Sequence, residues 1–320
     1  MSGATAGPRV FVETAARLHF GVLDLRGSRG RWFGGVGAAA PAPTLLVSAS
    51  TAETLDVSGE DADRAAEFAR RFLACHGRRG GRVVVHRALP AHAGLGSGTQ
   101  LALAVGRALA QVYGIETDAR SLALAVGRGP RSAIGTWTFD GGGLVVEGGR
   151  RQNSTEIAPL LARLLFPPTW RCIVALPNGS GTLTGDAEAA AIAALPPPPE
   201  EDVHRVAHLV LMALLPSVAD GDLATFGSAL TEIQATTGRW FAAVQGGPFA
   251  PGPTEEIVRR MAEWGAAGVG QSSWGPAAYG VVDGVEQAHR LADRVRELLG
   301  DAGQVYEGPF RTEGARVWHD

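Results

Sequence analysis

Leu89 to Leu103 reads Leu-Pro-Ala-His-Ala-Gly-Leu-Gly-Ser-Gly-Thr-Gln-Leu-Ala-Leu, a glycine-rich turn between a strand pattern and a helix pattern. Ahead of it, Arg82 to Leu89 carries Val83, Val84 and Val85 as a buried β run. Behind it, Leu101 to Tyr113 repeats apolar residues at helical spacing. Glycines at such a junction let the backbone take positive φ and approach a ligand closely. The N–H groups that open the following helix point at negative charge. The segment predicts a phosphate cradle formed by Gly94, Leu95, Gly96, Ser97, Gly98 and Thr99, and hence a phosphorylated ligand.

Two familiar glycine loops are excluded. A Walker A loop needs a lysine after its last glycine, and this chain has no lysine: all 29 basic residues are arginine. The same absence removes Schiff-base chemistry, a lysine general base and a lysine phosphate clamp. A dinucleotide fold needs an acidic residue at the end of a second strand, whereas Gly98 to Glu116 is one helical stretch.

At 320 residues the chain is long enough for two domains of ordinary size. Apolar residues make up 45% and charged ones 19%, a globular balance, and a net charge of −3 gives no support to a nucleic-acid partner. Cys75 and Cys172 both lie in apolar runs, which predicts reduced core thiols. With no signal-like opening and no apolar stretch of spanning length, the expectation is a soluble cytoplasmic protein without a membrane partner. A homodimer is one expected assembly.

The chain divides at Phe166-Pro167-Pro168, giving expected domains 1–166 and 167–320. The first has strands around Val10 to Thr14, Leu45 to Ser50 and Val83 to Arg87, and helices near Ala62 to His76, Thr99 to Tyr113 and Ala119 to Gly127. A glycine-rich hairpin is expected from Ser132 to Gly149, turning at Gly141 to Gly143. In the second, a strand at Arg171 to Leu176 precedes a helix at Asp186 to Leu195, which Pro196 to Pro199 stops. Helices at Val203 to Leu215, Leu223 to Gly238, Thr254 to Trp264 and Val285 to Leu299 follow, with strands near Val269, at Tyr279 to Asp283 and in a last pair. This alternation predicts an α+β second domain with a ferredoxin-like sheet.

Two further segments are poor core material. Ala16 to Gly37 crowds Arg17, His19, Asp24, Arg26, Arg29 and Arg31 among glycines, and reads either as a solvated hairpin or as a site. In the second reading Arg31 grips a carboxylate or phosphate with its planar fork, Asp24 holds a divalent ion or orients a substrate, and His19 transfers a proton. Gly268 to Gly280 contains Gln271, Ser272, Ser273 and Trp274; its small residues suit packing on a ligand, and Trp274 offers either a flat face for an aromatic substrate or a structural anchor. His204 and His208, four apart, read as helix-face residues for want of a third ligand.

Pro90-Ala-His-Ala-Gly-Leu-Gly-Ser-Gly is similar to the second motif of the GHMP kinase superfamily. Three segments together resemble the β-ribofuranosylaminobenzene 5′-phosphate synthase family within it: Arg17-Leu-His-Phe-Gly-Val-Leu-Asp with Gly30-Arg-Trp-Phe-Gly-Gly-Val-Gly, Gly127-Arg-Gly-Pro-Arg-Ser-Ala-Ile-Gly, and Gly270-Gln-Ser-Ser-Trp-Gly-Pro. The resemblance implies a two-domain GHMP kinase fold, α+β, with a ribosomal S5 domain 2-like first domain and a ferredoxin-like second. It implies condensation of 4-aminobenzoate with phosphoribosyl pyrophosphate, releasing carbon dioxide and pyrophosphate, early in tetrahydromethanopterin biosynthesis. Asp24 and Arg31 match acidic and basic family positions tied to catalysis and aminobenzoate binding. Thr184-Gly-Asp-Ala-Glu departs from the family pattern, leaving Glu188 without an assigned role.

Pyrophosphate as leaving group calls for charge neutralisation by the loop amides, by Arg128 and Arg131 beside Ser132, and by Mg²⁺, with no ATP. An ATP-dependent small-molecule kinase and a non-catalytic phosphosugar-binding protein share the loop and stay open as alternatives.

Overall fold

The computed structural model describes residues 8–129, 131–179 and 185–320. The chain opens on two long antiparallel strands, β1 (Val10–Asp24) and β2 (Arg31–Ser50). Then come β3 (Leu55–Gly59), α1 (Ala62–Cys75), β4 (Gly81–Arg87), α2 (Ser97–Val112), α3 (Ala119–Ala125), α4 (Ile134–Gly141), β5 (Leu144–Glu147), β6 (Arg150–Arg151) and β7 (Leu160–Leu164). The second half contains β8 (Trp170–Pro177), α5 (Gly185–Ala194), α6 (Glu200–Leu209), α7 (Leu215–Asp220), α8 (Leu223–Gln245), α9 (Pro253–Glu263), β9 (Gly268–Gln271), β10 (Ala278–Asp283), α10 (Val285–Leu299), β11 (Gly303–Pro309) and β12 (Arg316–His319).

Both glycine-rich strands run further than their apolar stretches suggest, because their glycines are contact points with neighbouring elements. A Cβ on Gly21 would lie 2.6 Å from Ile233 Cγ2 of α8, and one on Gly37 would strike the Leu18 carbonyl and Ile134. The second half of β2 pairs with β4, and its first half with β5 and β6. α2 packs beneath this sheet, with Leu101, Leu103, Val105 and Leu109 almost fully buried.

The expected hairpin from Ser132 to Gly149 is a helix followed by a strand. Trp137, Thr138 and Phe139 favour strands intrinsically, but in α4 the whole run Ile134 to Phe139 is buried, and tertiary packing overrides propensity. The glycine triplet ends α4. Similarly, Gly238 does not stop α8, which continues to Gln245; it lets the Pro248 carbonyl approach the helix.

β11-β8-β10-β9 form an antiparallel sheet, the strand order of a ferredoxin-like βαββαβ unit. Its outer face buries Ile257 and Met261 of α9 and Leu291 and Val295 of α10 against Ile173 and Val282. The division at residue 166 is not clean. β12 leaves the second unit and pairs with β1, completing the first sheet, and an aromatic cluster spans the break. Phe166 stacks on Phe310 at 3.8 Å, and Trp170 tilts against Phe226 at 5.0 Å.

α6, a π-type turn (Val210–Leu214) and α7 form a continuous helical stretch, Glu200–Asp220. By length and composition this stretch could cross a membrane, contrary to the expectation that no segment approaches that length. In the fold Val206, Val210, Leu214 and Val218 are buried. Cys172 is buried and Cys75 is exposed, so only the first is a core thiol.

Candidate active site

A cavity of about 530 Å³ opens where the two units meet. Its floor is the glycine loop. His92, Gly94 and Gly96 all have left-handed backbones, with φ of 56°, 74° and 75°, a spacing that turns successive N–H groups to one side. Gly96 precedes α2, whose start no side chain caps; Thr99 N is taken up by Gly96 O at 3.0 Å, and the Ser97 and Gly98 N–H groups lie ahead of the helix's first internal acceptor. Gly98 is helical, contrary to the positive φ expected of it, and its missing side chain has another consequence. A Cβ there would lie 2.9 Å from Arg64 Nη2 and 3.1 Å from Arg128 Nη2. Two guanidinium groups thus converge on the start of α2.

Arg128 is stacked over Phe68, 4.6 Å from the ring centroid, and its buried Nε has no acceptor. Burial, then the neighbouring Arg64 and Arg71, pulls it below the usual arginine range. Mutual repulsion in a half-buried site is relieved by an anion. Arg17 and Arg131 add further positive charge to the wall, and no Asp or Glu lines it among the described residues. Arg64 escapes sequence reading because its ion pair with Asp61, at 3.1 Å, makes it resemble an ordinary helix-surface charge.

Arg17 donates from its backbone to Leu95 O at 3.0 Å and from Nη1 to Gly94 O, fixing the loop against β1. Leu95 and Ser272 are buried behind the wall. Ser272 Oγ donates to Gly94 O at 2.7 Å and accepts His19 N at 2.9 Å, so the two sequence motifs and β1 meet at one hydroxyl. Gln271, on the wall, is fixed by Gln245 and by the Ser273 carbonyl, both at 2.9 Å. Gln234 of α8, unmarked in the sequence, accepts Gln271 N at 2.9 Å and donates to the Phe20 carbonyl.

Aromatic residues line the same cavity. Trp274 meets Phe241 of α8 edge to face at 4.9 Å, and Phe33 lines the cavity from β2. Ser97, Thr99, Ser132 and Ser273 lie on the wall. So does His19, whose pKa is pushed down to about 3 by burial and then by Arg17; it is a neutral imidazole at ordinary pH.

Asp24 and Arg31, the two residues expected to do the chemistry, are not on the wall. Asp24 Oδ1 accepts the N–H groups of Arg26 at 2.6 Å and Gly27 at 3.1 Å, so its carboxylate caps the β1–β2 turn. Arg31 Nη1 donates to Gly149 O at 2.9 Å. Among the described residues no cluster of three His, Cys, Asp or Glu forms a protein cage for a metal; an Mg²⁺ held chiefly by substrate phosphates needs no such cage. His204 pairs with Glu200 at 3.6 Å on an exposed helix face. Pro130 and Thr184 lie outside the described residues, as does the Glu188 side chain.

The model of the GHMP kinases N terminal domain matches residues 63–136, and that of the GHMP kinases C terminal matches 214–301. Homoserine kinase from Cytophaga hutchinsonii superposes with a TM-score of 0.70 at 15% identity, over 99% of this chain and 100% of that one. Mevalonate pyrophosphate decarboxylase from Streptococcus pyogenes does so with 0.69 at 14%, over 95% and 98%. The architecture is that of the GHMP kinase class. In sequence, the beta-ribofuranosylphenol 5′-phosphate synthase of Methanothermobacter thermautotrophicus is 34% identical over 328 residues, 96% of this chain and 98% of its own. The protein of the same name from Archaeoglobus fulgidus is 37% identical over 295 residues, 87% and 91%. The chain belongs to this family of synthases.

Proposed function

We propose that this enzyme joins 4-aminobenzoate to phosphoribosyl pyrophosphate, giving β-ribofuranosylaminobenzene 5′-phosphate, carbon dioxide and pyrophosphate, an early step of tetrahydromethanopterin biosynthesis. The observation that carries the reading is the convergence of Arg64 and Arg128 on the start of α2, in one cavity with the Phe241–Trp274 pair. This combination suits a polyanion and a flat ring in one cavity, in a chain whose relatives are named for an aryl riboside phosphate.

The arginines and the α2 amides hold the pyrophosphate and stabilise its charge as the ribose C1–O bond breaks, the electron pair leaving with pyrophosphate. The ring carbon bearing the carboxylate, para to the donor substituent, forms the new bond to C1. The bond to the carboxylate carbon then breaks, its pair restores the aromatic ring, and carbon dioxide leaves. Positioning and electrostatics carry these steps. No step is assigned to a protein-held metal, and none to ATP.

The relatives' names carry a phenol where the motif resemblance implies an aminobenzene. Hydroxyl and amine are both para donors, so the bond changes are common to the two rings, and 4-hydroxybenzoate is the direct competitor to test. The kinase alternative lacks support at the wall, where no described carboxylate stands ready to take a proton from an alcohol. A soluble, cytoplasmic enzyme acting on small molecules accords with this reading. Incubation with phosphoribosyl pyrophosphate and carboxyl-labelled 4-aminobenzoate is expected to release labelled carbon dioxide. Release that does not depend on phosphoribosyl pyrophosphate would refute the assignment.

A further inference from the structure

β5 ends in a carboxyl group that the reaction described above does not use. Glu147 is fully buried, and among the described residues no cation pairs with it. An unpaired buried carboxyl is costly and is retained only where its oxygens serve a purpose. Oε2 accepts Gly149 N at 2.7 Å and Oε1 accepts Ala133 N at 3.4 Å. Gly149 gives its carbonyl to Arg31, and Ala133 directly follows Arg131 and Ser132 on the cavity wall. On a third side, the point where a Cβ on Gly35 would sit lies 3.6 Å from Glu147 Oε1 and 3.4 Å from His19 Nε2.

We propose that Glu147 is a positioning residue, tying the Gly149 turn that Arg31 clasps to the arginine-bearing wall ahead of α4. Arg31 then acts on the site through Gly149, Glu147 and Ala133, although it does not touch the cavity. The inference rests on the synthase reading, because it is the pyrophosphate half of the cavity that the tie holds in shape.

Burial pushes Glu147 up to about 7, the bonds from Gly149 and Ala133 offsetting part of the rise. The charged or titratable groups on the elements around it are Glu13, Arg17, His19 and Asp24 on β1, Arg31 on β2, Asp140 on α4 and Arg163 on β7, with Arg131 ahead of α4 and Arg150 just beyond its own strand. Once ionised, Glu147 accepts both amides more strongly, so the tie tightens as pH rises through 7.

Glu147→Gln keeps the shape but turns an N–H group toward one of the two amides, breaking one bond at any pH. The test is titration with inorganic pyrophosphate between pH 6 and 8, with folding followed by thermal melting. The variant is expected to bind about tenfold more weakly at pH 8, the worth of one charge-assisted hydrogen bond, and the ratio to wild type is expected to shrink at pH 6. Because both proteins meet the same ligand, pyrophosphate's own ionisation cancels in that ratio. A folded variant with wild-type affinity, or a ratio flat with pH, overturns the proposal.

Gly35→Ala supplies a second handle if the first variant does not fold, since its methyl enters the gap between His19 and Glu147. Several-fold weaker binding supports the tie, and unchanged binding counts against it. Wild-type protein that binds no pyrophosphate would instead sink the synthase reading on which the inference stands.

Discussion

Arg64 and Arg128, from two different segments of the first unit, bring their Nη2 atoms within 2.9 and 3.1 Å of a single point beside Gly98. Two cations held this close over a helix N-terminus define the anion subsite more sharply than the glycines do. Replacing either with alanine is expected to raise KM for phosphoribosyl pyrophosphate about 10- to 100-fold, the range for a charge-assisted hydrogen bond worth roughly 1.5 to 3 kcal/mol. KM for the aromatic acid should change much less. Steady-state kinetics with each substrate varied in turn give the answer, and equal changes in both constants would remove the arginines from the pyrophosphate.

Gly96→Val tests the cradle from the backbone side. A β-branched residue at φ 75° is strained, and its Cβ would start 2.8 Å from Arg17 Cγ. The substitution is expected to weaken binding of phosphoribosyl pyrophosphate more than binding of aminobenzoate. If a folded variant loses both equally, the loop is not the phosphate site.

Arg31 now carries a different expectation from the one its sequence suggests. A bidentate grip on a carboxylate predicts that Arg31→Lys stays impaired. A single bond to the Gly149 carbonyl predicts that lysine largely restores function, with a residual loss of about 0.5 to 1.5 kcal/mol or less. Comparing Arg31→Lys with Arg31→Ala in kcat/KM separates the two, and a lysine variant as poor as alanine would put Arg31 back on the substrate.

The chain's response to pH follows from two buried groups of opposite sign. Glu147 titrates near 7 in the folded protein and near 4.5 when unfolded, so the folded state holds the extra proton between those values. Stability therefore falls as pH rises through that window, by on the order of 3 kcal/mol in all. His19, pushed down to about 3 from 6.5, refuses a proton that the unfolded chain accepts, so its contribution is complete above pH 6.5 and is lost on acidification. Urea unfolding at pH 5 and pH 8 should show Glu147→Gln gaining relative to wild type at the higher pH. An equal difference at both pH values would mean that Glu147 is already ionised at pH 5.

The strand, loop and helix around Gly94 to Gly98 were legible because a strand end, a glycine turn and a helix start are each specified locally, by residue types a few positions apart. The ferredoxin-like unit was legible for a similar reason: β8 and β10 carry buried apolar runs and α10 a regular apolar stripe. α4 was not, because Thr136, Trp137 and Phe139 favour strand until the tertiary fold buries them on every side. Arg64 and Gln234 carry no local signal; one looks like a helix-surface charge and the other like a helix-surface amide. Asp24 and Arg31 present the opposite difficulty: their types suit catalysis, but in the fold Asp24 caps its own turn, Arg31 reaches across to the Gly149 carbonyl between β5 and β6, and neither lines the cavity.

The most direct test of the whole account is the product balance in the absence of ATP. With phosphoribosyl pyrophosphate and ring-labelled or carboxyl-labelled aminobenzoate, carbon dioxide, pyrophosphate and the aryl riboside phosphate should appear in equal amounts, with 4-hydroxybenzoate run in parallel. ATP-dependent phosphorylation of a small alcohol, faster than release of carbon dioxide from either ring, would contradict the account and return the chain to the kinases.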